Sequence, residues 1–360
     1  MDLDKLLLNI EKSRIADKPF VIYKNPDASN IKALFPNKKD LTYIKDLTES
    51  GFVFAPFDNK DKTIIFPVQE CEIVSIDTPD NLTVVNSDLN DLLNNGKSKE
   101  DHLSLVKKGI DFLIKNNLKK VVLSRKEEIE IDHFDVKLLF KNLLVNYPEA
   151  FIYIWFHPDI GMWMGASPET LVKVEDNHFE TMALAGTQNY YGTLDVTWDK
   201  KEKQEQQFVT DFIVSQLNDF EIKLSQPFSK RAGNLIHICT EIQGSNFSIN
   251  ELGKLINNLH PTPAVCGLPK KETKEFIIDN ENYRREFYTG FLGELNTNNR
   301  SCLFVNLRCM QINLELSSSK STKVNLYVGG GITVSSDPEK EWVETVSKSK
   351  VMKKVLWVKD

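Results

Sequence analysis

Two glutamates in the segment 199–217 stand where the apolar stripe of a helix would continue. Glu202 and Glu205 precede Val209 and Phe212 at offsets that return to the same side of a helix. If the segment is helical, the two carboxylates therefore share the face that the apolar residues turn toward the protein core.

The last predicted helix repeats this arrangement, because Glu341, Glu344 and Lys348 precede Val351 and Val355 along one line. An ionised carboxylate on a core-facing side is costly unless it is paired or binds a cation. Oxygen ligands suit Mg²⁺, which takes few protein ligands, so one glutamate from each helix could form a metal clamp. The alternative is a solvated rim with an ordinary Glu344–Lys348 ion pair. Spacing alone favours this alternative, because such pairs are common on helix surfaces.

Two further features are compatible with anion binding. Arg308 lies in a strand-like alternating segment, where a buried arginine usually pairs with a carboxylate of a substrate or of the protein. Gly329, Gly330 and Gly331 stand between a predicted strand and a predicted helix, where backbone N–H groups could approach an anion. A tight turn is the commoner explanation of such glycines, and they match neither GxGxxG nor the P-loop pattern.

Spacing alone gives little functional information on three other polar residues. Lys120 opens a predicted strand and Glu169 follows Ser167 and Pro168, so each is most simply a solvated charge at a strand edge. His260 belongs to the rigid segment 260–263, His-Pro-Thr-Pro, where a histidine is more often a structural hydrogen-bonding group than a catalyst.

The elements that would position these residues follow from apolar periodicity. Helices are predicted from the stripe Leu103, Val106, Ile110, Leu113 and Ile114, from the stripe Phe208, Val209, Phe212, Ile213 and Leu217 within 199–217, and after an N-cap Asp337 with Pro338 in the first turn. Strands are predicted at 120–124, at several places in 151–186 where Gly161, Gly165 and Pro168 interrupt them, at 235–242, at 302–314 and at 323–328.

Strands in runs, interrupted by long helices, favour an α+β layered fold over a doubly wound parallel sheet. The polar stretch 94–98 is the best linker candidate, and it separates an N-terminal part, residues 1–98, from residues 99–360.

The composition excludes several classes of protein. The 360 residues include 51 acidic and 45 basic side chains, a net charge of -6 without an extended basic face, so nucleic-acid binding is not expected. The longest apolar runs have about six residues, far from the roughly 20 that span a bilayer, and no secretory signal begins the chain, so a cytoplasmic protein is expected. The five cysteines lack CxxC spacing and are interpreted as buried free thiols.

Eight segments in order resemble the chorismate-utilising enzymes, the family of anthranilate, aminodeoxychorismate, salicylate and isochorismate synthases. They are LKKVVLSR (118–125), GASPETLV (165–172), LAGT (184–187), KKEKQEQQFV (200–209), LHPTPAVCGLP (259–269), FYTGFLGE (287–294), NLRCMQI (306–312) and YVGGGITVSSDPEKEWVETVSK (327–348). The resemblance covers residues from about 100 to the C-terminus. It implies one continuous domain like component I of anthranilate synthase, with large central antiparallel sheets and helices outside, so that the stretch near residue 96 is then only a loop.

Positions in three segments discriminate within the family. Lys120 stands where isochorismate and salicylate synthases carry lysine and ammonia-using members carry glutamine, which implies water as the nucleophile. Ala185 stands in the segment where aminodeoxychorismate synthases carry a lysine. Ala264 and Val265, in HPTPAV, resemble isochorismate synthases more than salicylate synthases. The resemblance thus implies reversible isomerisation of chorismate to isochorismate, with salicylate and pyruvate formation as the alternative.

The resemblance also assigns roles. Lys120 would be the general base that activates water at C2, and Glu169 the general acid that protonates the departing C4 hydroxyl. Glu205 and Glu344 would bind Mg²⁺, which would hold the ring carboxylate of chorismate. Substrate contacts would come from Gly186, Ala264, Arg308, Gly329 and Lys348, and supporting roles from Glu202, His260, Tyr288 and Glu341.

The chain departs from the family pattern at Gln206, where a histidine usually follows the metal-binding glutamate, and at residues 188–191, where basic residues are often found. Chorismate and isochorismate are the expected ligands of a monomer without an amidotransferase subunit. The sequence leaves open whether the product enters menaquinone or siderophore synthesis.

Overall fold

The structure is a computed structural model that describes residues 1–26, 28–79, 81–82, 96–131, 134–232, 235–313 and 321–356. These residues form seven α-helices and 18 β-strands. The helices are α1 (Leu3–Ile15), α2 (Gly96–Asn116), α3 (Val136–Asn146), α4 (Lys200–Gln216), α5 (Leu252–Leu259), α6 (Lys270–Asn280) and α7 (Pro338–Leu356). The strands are β1 (Phe20–Lys24), β2 (Asn30–Pro36), β3 (Gly51–Ala55), β4 (Ile64–Pro67), β5 (Cys71–Asp77), β6 (Lys120–Ile131), β7 (Phe151–His157), β8 (Gly161–Ser167), β9 (Thr170–Glu175), β10 (His178–Asn189), β11 (Glu221–Leu224), β12 (Phe228–Ala232), β13 (Leu235–Ser245), β14 (Gly267–Leu268), β15 (Phe291–Thr297), β16 (Arg300–Val305), β17 (Cys309–Asn313) and β18 (Thr322–Ile332).

The strands form two antiparallel sheets, here named sheet A and sheet B. Sheet A has the order β14-β6-β18-β17-β8-β7-β1-β2-β5. Sheet B has the order β11-β13-β10-β9-β16-β15-β3-β4, and β12 pairs with β13 beside this path. The first five strands are divided between the sheets. Strands β1, β2 and β5 belong to sheet A, where β1 pairs with β7, and β3 and β4 belong to sheet B, where β3 pairs with β15.

An aromatic core joins the two sheets face to face. Phe151 of sheet A stacks on Phe304 of sheet B with ring centroids 4.2 Å apart, and Trp155 of sheet A stacks on Phe66 of sheet B at 5.3 Å. A stacked aromatic pair stabilises the fold beyond the contribution of the large apolar area that each ring removes from water. This core fixes how the two sheets lie against each other.

The helices cover the outer faces of the sheets. Leu6 of α1, Phe140 of α3 and Val355 of α7 belong to one apolar cluster with sheet A. Val209 of α4 and Leu255 of α5 belong to another with sheet B. The predicted α+β fold, with central antiparallel sheets and external helices, is confirmed.

The predicted linker is wrong for residues 96–98, which form the first turn of α2; residues 94 and 95 lie outside the described residues. The helix predicted from the stripe that starts at Leu103 is confirmed. Ile114, however, is 62% exposed, because the buried side of α2 runs through Val106 and Leu113. The helices at 199–217 and after Asp337 are also confirmed as α4 and α7.

Two strand predictions need correction. The segment 302–314 is not one strand, because β16 ends at Val305 in sheet B and β17 begins at Cys309 in sheet A; residue 314 lies outside the described residues. The glycines 329–331 do not form a turn but continue β18, where they pair with Ser124, Leu123 and Val122 of β6.

In the described part of the chain, no helix is both long and apolar enough to cross a membrane. All five cysteines are free thiols, and Cys239, Cys266 and Cys309 are buried.

Candidate active site

A cavity of about 140 Å³ collects most of the predicted site residues. The residues that line it include Lys120, Glu169, Gly186, Glu202, Glu205, Ala264, Tyr288, Arg308, Gly329, Glu344 and Lys348. Of the predicted set, His260 and Glu341 are not among the residues that line it. The cavity is formed where β6, β10 and β18 meet α4, α7 and the connection between β16 and β17.

Lys120 begins β6 but does not lie at a sheet edge. Leu268 of β14 pairs with it, and Lys120 is 1% exposed. Its Nζ lies 2.7 Å from Oε1 of Glu205, in the geometry of an ion pair. The interpretation of Lys120 as a solvated edge charge is therefore wrong.

Glu169 is also buried rather than solvated, and it lies between β8 and β9. Its backbone oxygen accepts the N–H of Val305, and Thr262 Oγ1 donates to its Oε1 at 3.4 Å. Burial raises the pKa of Glu169 to about 7, although Thr262 and Lys120 both act to lower it. A carboxyl with this pKa is protonated in a large fraction of molecules at neutral pH, as a general acid requires.

The predicted carboxylates of α4 and α7 meet above the glycines of β18. A Cβ atom added at Gly330 would lie 3.5 Å from Glu341 Oε2 and 3.6 Å from Glu344 Oε1, and one added at Gly331 would overlap Glu205 Oε1. The absence of side chains at these glycines thus leaves the space into which carboxylates from two helices converge.

A lysine ammonium group contacts each of the carboxylates of Glu205, Glu344 and Glu341. Lys120 pairs with Glu205, Lys348 lies 2.7 Å from Glu344, and Lys201 lies 3.3 Å from Glu341. The described residues contain no group of three His, Cys, Asp or Glu side chains placed together to hold a metal ion.

The donor set nevertheless fits a hard divalent cation. Glu205 and Glu344 supply one carboxylate from each helix, and Glu202 Oε2 is buried without a hydrogen-bond partner. Mg²⁺ is usually bound by one or two carboxylates together with waters and substrate oxygens, so a cage of three protein ligands is not required.

Arg308 lies in the connection between sheets, not within a strand as predicted. It adopts a left-handed backbone conformation with φ 47°, and its carbonyl accepts the N–H of Ala166. Burial lowers the pKa of Arg308 to about 10, so the guanidinium still carries its charge at neutral pH. A half-buried guanidinium that lines the cavity suits a substrate carboxylate.

His237 was missed by the sequence analysis and contacts two predicted substrate-binding residues. Its Nε2 lies 2.9 Å from Arg308 Nη2, and its Nδ1 lies 2.9 Å from the carbonyl oxygen of Gly186. Burial and the charge of Arg308 lower the pKa of His237 to about 3, so the ring is neutral. The neutral ring can donate from Nδ1 to Gly186 and accept from Arg308 at Nε2. The available signal was a polar residue within the apolar strand β13.

Backbone shape positions the remaining contacts. Gly186 has φ 71° in an irregular part of β10, where a Cβ would lie 3.0 Å from Cβ of Glu202. Lys348 Nζ donates to the carbonyl of Gly329 at 3.0 Å, and the ring of Tyr288 stacks on Tyr327. Ala264 adds a small apolar side chain to the lining.

His260 has a structural role here. Its Nε2 lies 3.0 Å from the carbonyl oxygen of Thr289, its ring packs edge-on against Phe291, and burial lowers its pKa to about 4. Gln206 is likewise buried outside the cavity, and its amide donates to the hydroxyls of Thr210 and Thr240. Glutamine at position 206, in place of the histidine usual in the family, therefore has both amide N–H groups hydrogen-bonded.

Known proteins resemble this chain in sequence and in fold. Isochorismate synthase EntC of Escherichia coli (strain K12) is 29% identical over 249 residues, which are 66% of this chain and 62% of that protein. The chain thus spans less than two thirds of that relative. Isochorismate synthase DhbC of Bacillus subtilis (strain 168) is 26% identical over 287 residues, 72% of this chain and 68% of that protein.

The fold has a solved counterpart in MenF, the menaquinone-specific isochorismate synthase of Escherichia coli. The TM-score is 0.75 at 19% identity, with 94% of this chain and 89% of that chain covered. The family model described as chorismate binding enzyme matches residues 68–357, which include every residue that we find lining the cavity. This chain belongs to the chorismate binding enzyme family.

Proposed function

We propose that this protein is an isochorismate synthase that converts chorismate reversibly to isochorismate. The observation that carries the proposal is one cavity with a buried lysine, Lys120, and a buried carboxyl of raised pKa, Glu169. Adding water at C2 and removing the C4 hydroxyl requires a base and an acid in one enclosed site. The names of EntC, DhbC and MenF support this choice.

Glu169 would act as the acid. A hydroxide-like leaving group is poor, so the C4 oxygen must receive a proton as its bond to carbon breaks. The burial that raises the pKa of Glu169 also keeps bulk water from its carboxyl. The donated proton therefore goes to the substrate oxygen rather than to solvent.

Lys120 would activate the attacking water. A base must offer a free lone pair to the water, whereas Nζ of Lys120 is in ion-pair contact with Glu205. The Nζ of Lys120 therefore has to leave Glu205 before it can accept a proton from water. The buried end of β6 then limits the positions that Nζ can reach, which orients it toward the substrate.

We infer that the divalent cation is Mg²⁺ and that Glu205 and Glu344 hold it, with Glu202 and Glu341 nearby. When bound, the ion supplies Lewis-acid stabilisation of charge that develops on the substrate ring carboxylate. Arg308, held by His237, would bind a second substrate carboxylate, and Lys348 would hold Glu344 and the Gly329 carbonyl in place.

The test is to incubate the purified protein with chorismate, with Mg²⁺ or with EDTA, and to separate isochorismate, salicylate, anthranilate and pyruvate by chromatography. We expect isochorismate without pyruvate, formed only with Mg²⁺. Glu169→Gln should lower turnover by at least about 100-fold, the usual contribution of a general acid. Glu128→Gln, an exposed change on β6, should have no effect.

Stoichiometric salicylate and pyruvate would instead identify a salicylate synthase, and absence of turnover would contradict the proposal. That the enzyme works as a cytoplasmic monomer without an amidotransferase subunit stays a prediction. Its place in menaquinone or siderophore synthesis is equally untested.

A further inference from the structure

Lys201 lies at the rim of the carboxylate cluster and was not among the predicted site residues. It precedes Glu205 by about one turn of α4, and its Nζ lies 3.3 Å from Glu341 Oε1 of α7. The side chain of Lys201 is 45% exposed, whereas that of Glu341 is only 3% exposed. Lys201 therefore brings a positive charge to a buried carboxylate from the solvent side.

The three lysines of the cluster differ in how easily their ammonium groups can leave. Lys120 is enclosed by the cavity, and Lys348 contacts both Glu344 and the carbonyl of Gly329. Lys201 is half exposed and makes the longest of the three ion pairs. A long flexible side chain at such a position can return its ammonium to water while its stem stays packed.

The carboxylates around Lys201 need positive charge when no metal is bound. Glu341 and Glu344 are like charges one turn apart on α7, and burial together with Glu344 raises the pKa of Glu341. Burial acts to lower the pKa of Lys201. The carboxylates of Glu341, Glu205 and Glu344 outweigh burial, and the pKa is raised. The same carboxylates would attract a divalent cation to this position.

We propose that Lys201 is a displaceable counter-ion that competes with the divalent cation for the carboxylates of α4 and α7. Its ammonium offsets their repulsion in the metal-free protein and lowers the affinity of the cluster for metal. This inference rests on the proposed metal site, and Lys201 is a positioning residue that acts through the carboxylates rather than on the substrate.

The test compares Mg²⁺ binding by isothermal titration calorimetry at pH 8 for the wild type, Lys201→Met and Lys201→Arg. Lys203→Met is the matched control, because Lys203 is exposed on the same helix. Removing a unit charge next to the carboxylates should tighten Mg²⁺ binding by about fivefold or more in Lys201→Met. Lys201→Arg and Lys203→Met should bind Mg²⁺ like the wild type.

A second readout is the melting temperature with and without saturating Mg²⁺. Lys201→Met should melt lower than the wild type without metal and gain more from Mg²⁺, because ligand binding stabilises the folded state according to its affinity. A purely structural lysine would lower both melting temperatures equally. Lys201→Gln serves for both measurements if the methionine variant does not fold.

The possible failures are distinguishable. If the wild type does not bind Mg²⁺, the proposed metal site is wrong and this inference falls with it. If the wild type binds Mg²⁺ but neutral variants bind it equally or more weakly, the metal site stands and Lys201 is not a competitor. A raised KM for chorismate with unchanged Mg²⁺ affinity would assign Lys201 to the substrate instead.

Discussion

The carboxyl of Glu169 shows how burial sets the chemistry of a single residue. Its two favourable interactions, with the Thr262 hydroxyl and the Lys120 charge, both act to lower its pKa, yet the loss of solvation outweighs them. The ionised form is thus the costly one in the folded protein, and the proton is retained to about pH 7.

This cost should appear as a pH dependence of stability. The folded pKa of Glu169, about 7, lies above its ordinary value of 4.5, so the folded state binds more protons between these values. The group therefore imposes no penalty below about pH 4.5, and the free energy of unfolding falls as pH rises toward 7 and above, by up to about 3 kcal/mol. Urea denaturation of the wild type and Glu169→Gln from pH 5 to 8 measures the difference.

The stability difference between the two proteins should shift in favour of Glu169→Gln as pH rises. Glu128→Gln, at an exposed position, should keep a constant difference from the wild type. A constant difference for Glu169→Gln would show that Glu169 is ionised throughout this range in the folded protein.

Residue spacing could not predict that Lys120 and Glu169 are buried. Local sequence places both at strand ends, where side chains are usually solvated. The cover comes from distant segments: β14 pairs with the first residue of β6, and Thr262 lies against Glu169. The side of the helix on which the carboxylates lie was easier to predict, because the apolar residues that share this side belong to the same helix.

At the scale of elements, the glycines of β18 are what allow a strand and two helices to meet. Gly331 pairs with Val122 in an ordinary strand conformation, so alanine would not disturb the backbone. Its Cβ, however, would overlap Glu205 Oε1 and lie 2.7 Å from Cε of Lys120. The missing side chain makes room for the Lys120–Glu205 pair.

We expect Gly331→Ala to lower the free energy of unfolding by about 2 kcal/mol, the usual cost of overpacking, and to abolish most activity. Gly330→Ala is the matched control for stability, because its Cβ would meet no atom closer than 3.5 Å. It should cost less than about 1 kcal/mol. Urea denaturation measures both, and equal losses for the two variants would contradict this account of Gly331.

The same glycines show a limit of predicting secondary structure from local sequence. Three consecutive glycines have weak strand propensity, so the local sequence favours a turn. Pairing with the long strand β6 overrides that propensity. The segment 302–314 was predicted as one strand because its alternation continues through residues 306–308, and local alternation does not reveal that the chain passes from sheet B to sheet A there.

For the whole molecule, this passage between sheets is the feature that connects stability with the site. Asn306 is fully buried, its Oδ1 accepts the hydroxyl of Tyr153 in sheet A, and its Nδ2 donates to the carbonyl of Phe287. Its backbone N–H donates to Gly290 beside β15 of sheet B. Arg308 follows two residues later, so the same short segment holds the sheets together and carries the guanidinium into the cavity.

Asn306→Leu keeps a similar volume but removes both side-chain hydrogen bonds. The buried hydroxyl of Tyr153 would lose its partner, whereas the carbonyl of Phe287 would keep the N–H of Gly290, so we expect a loss of about 1–3 kcal/mol in the free energy of unfolding. We also expect a higher KM for chorismate, because a shifted connection moves Arg308. Asn30→Leu, which loses one exposed hydrogen bond to Ser75, should cost less than about 1 kcal/mol and leave KM unchanged. Urea denaturation and steady-state kinetics test both parts. Wild-type stability in Asn306→Leu would mean that the aromatic core alone fixes the sheets. Lost stability with an unchanged KM would mean that Arg308 is held by His237 independently of the connection.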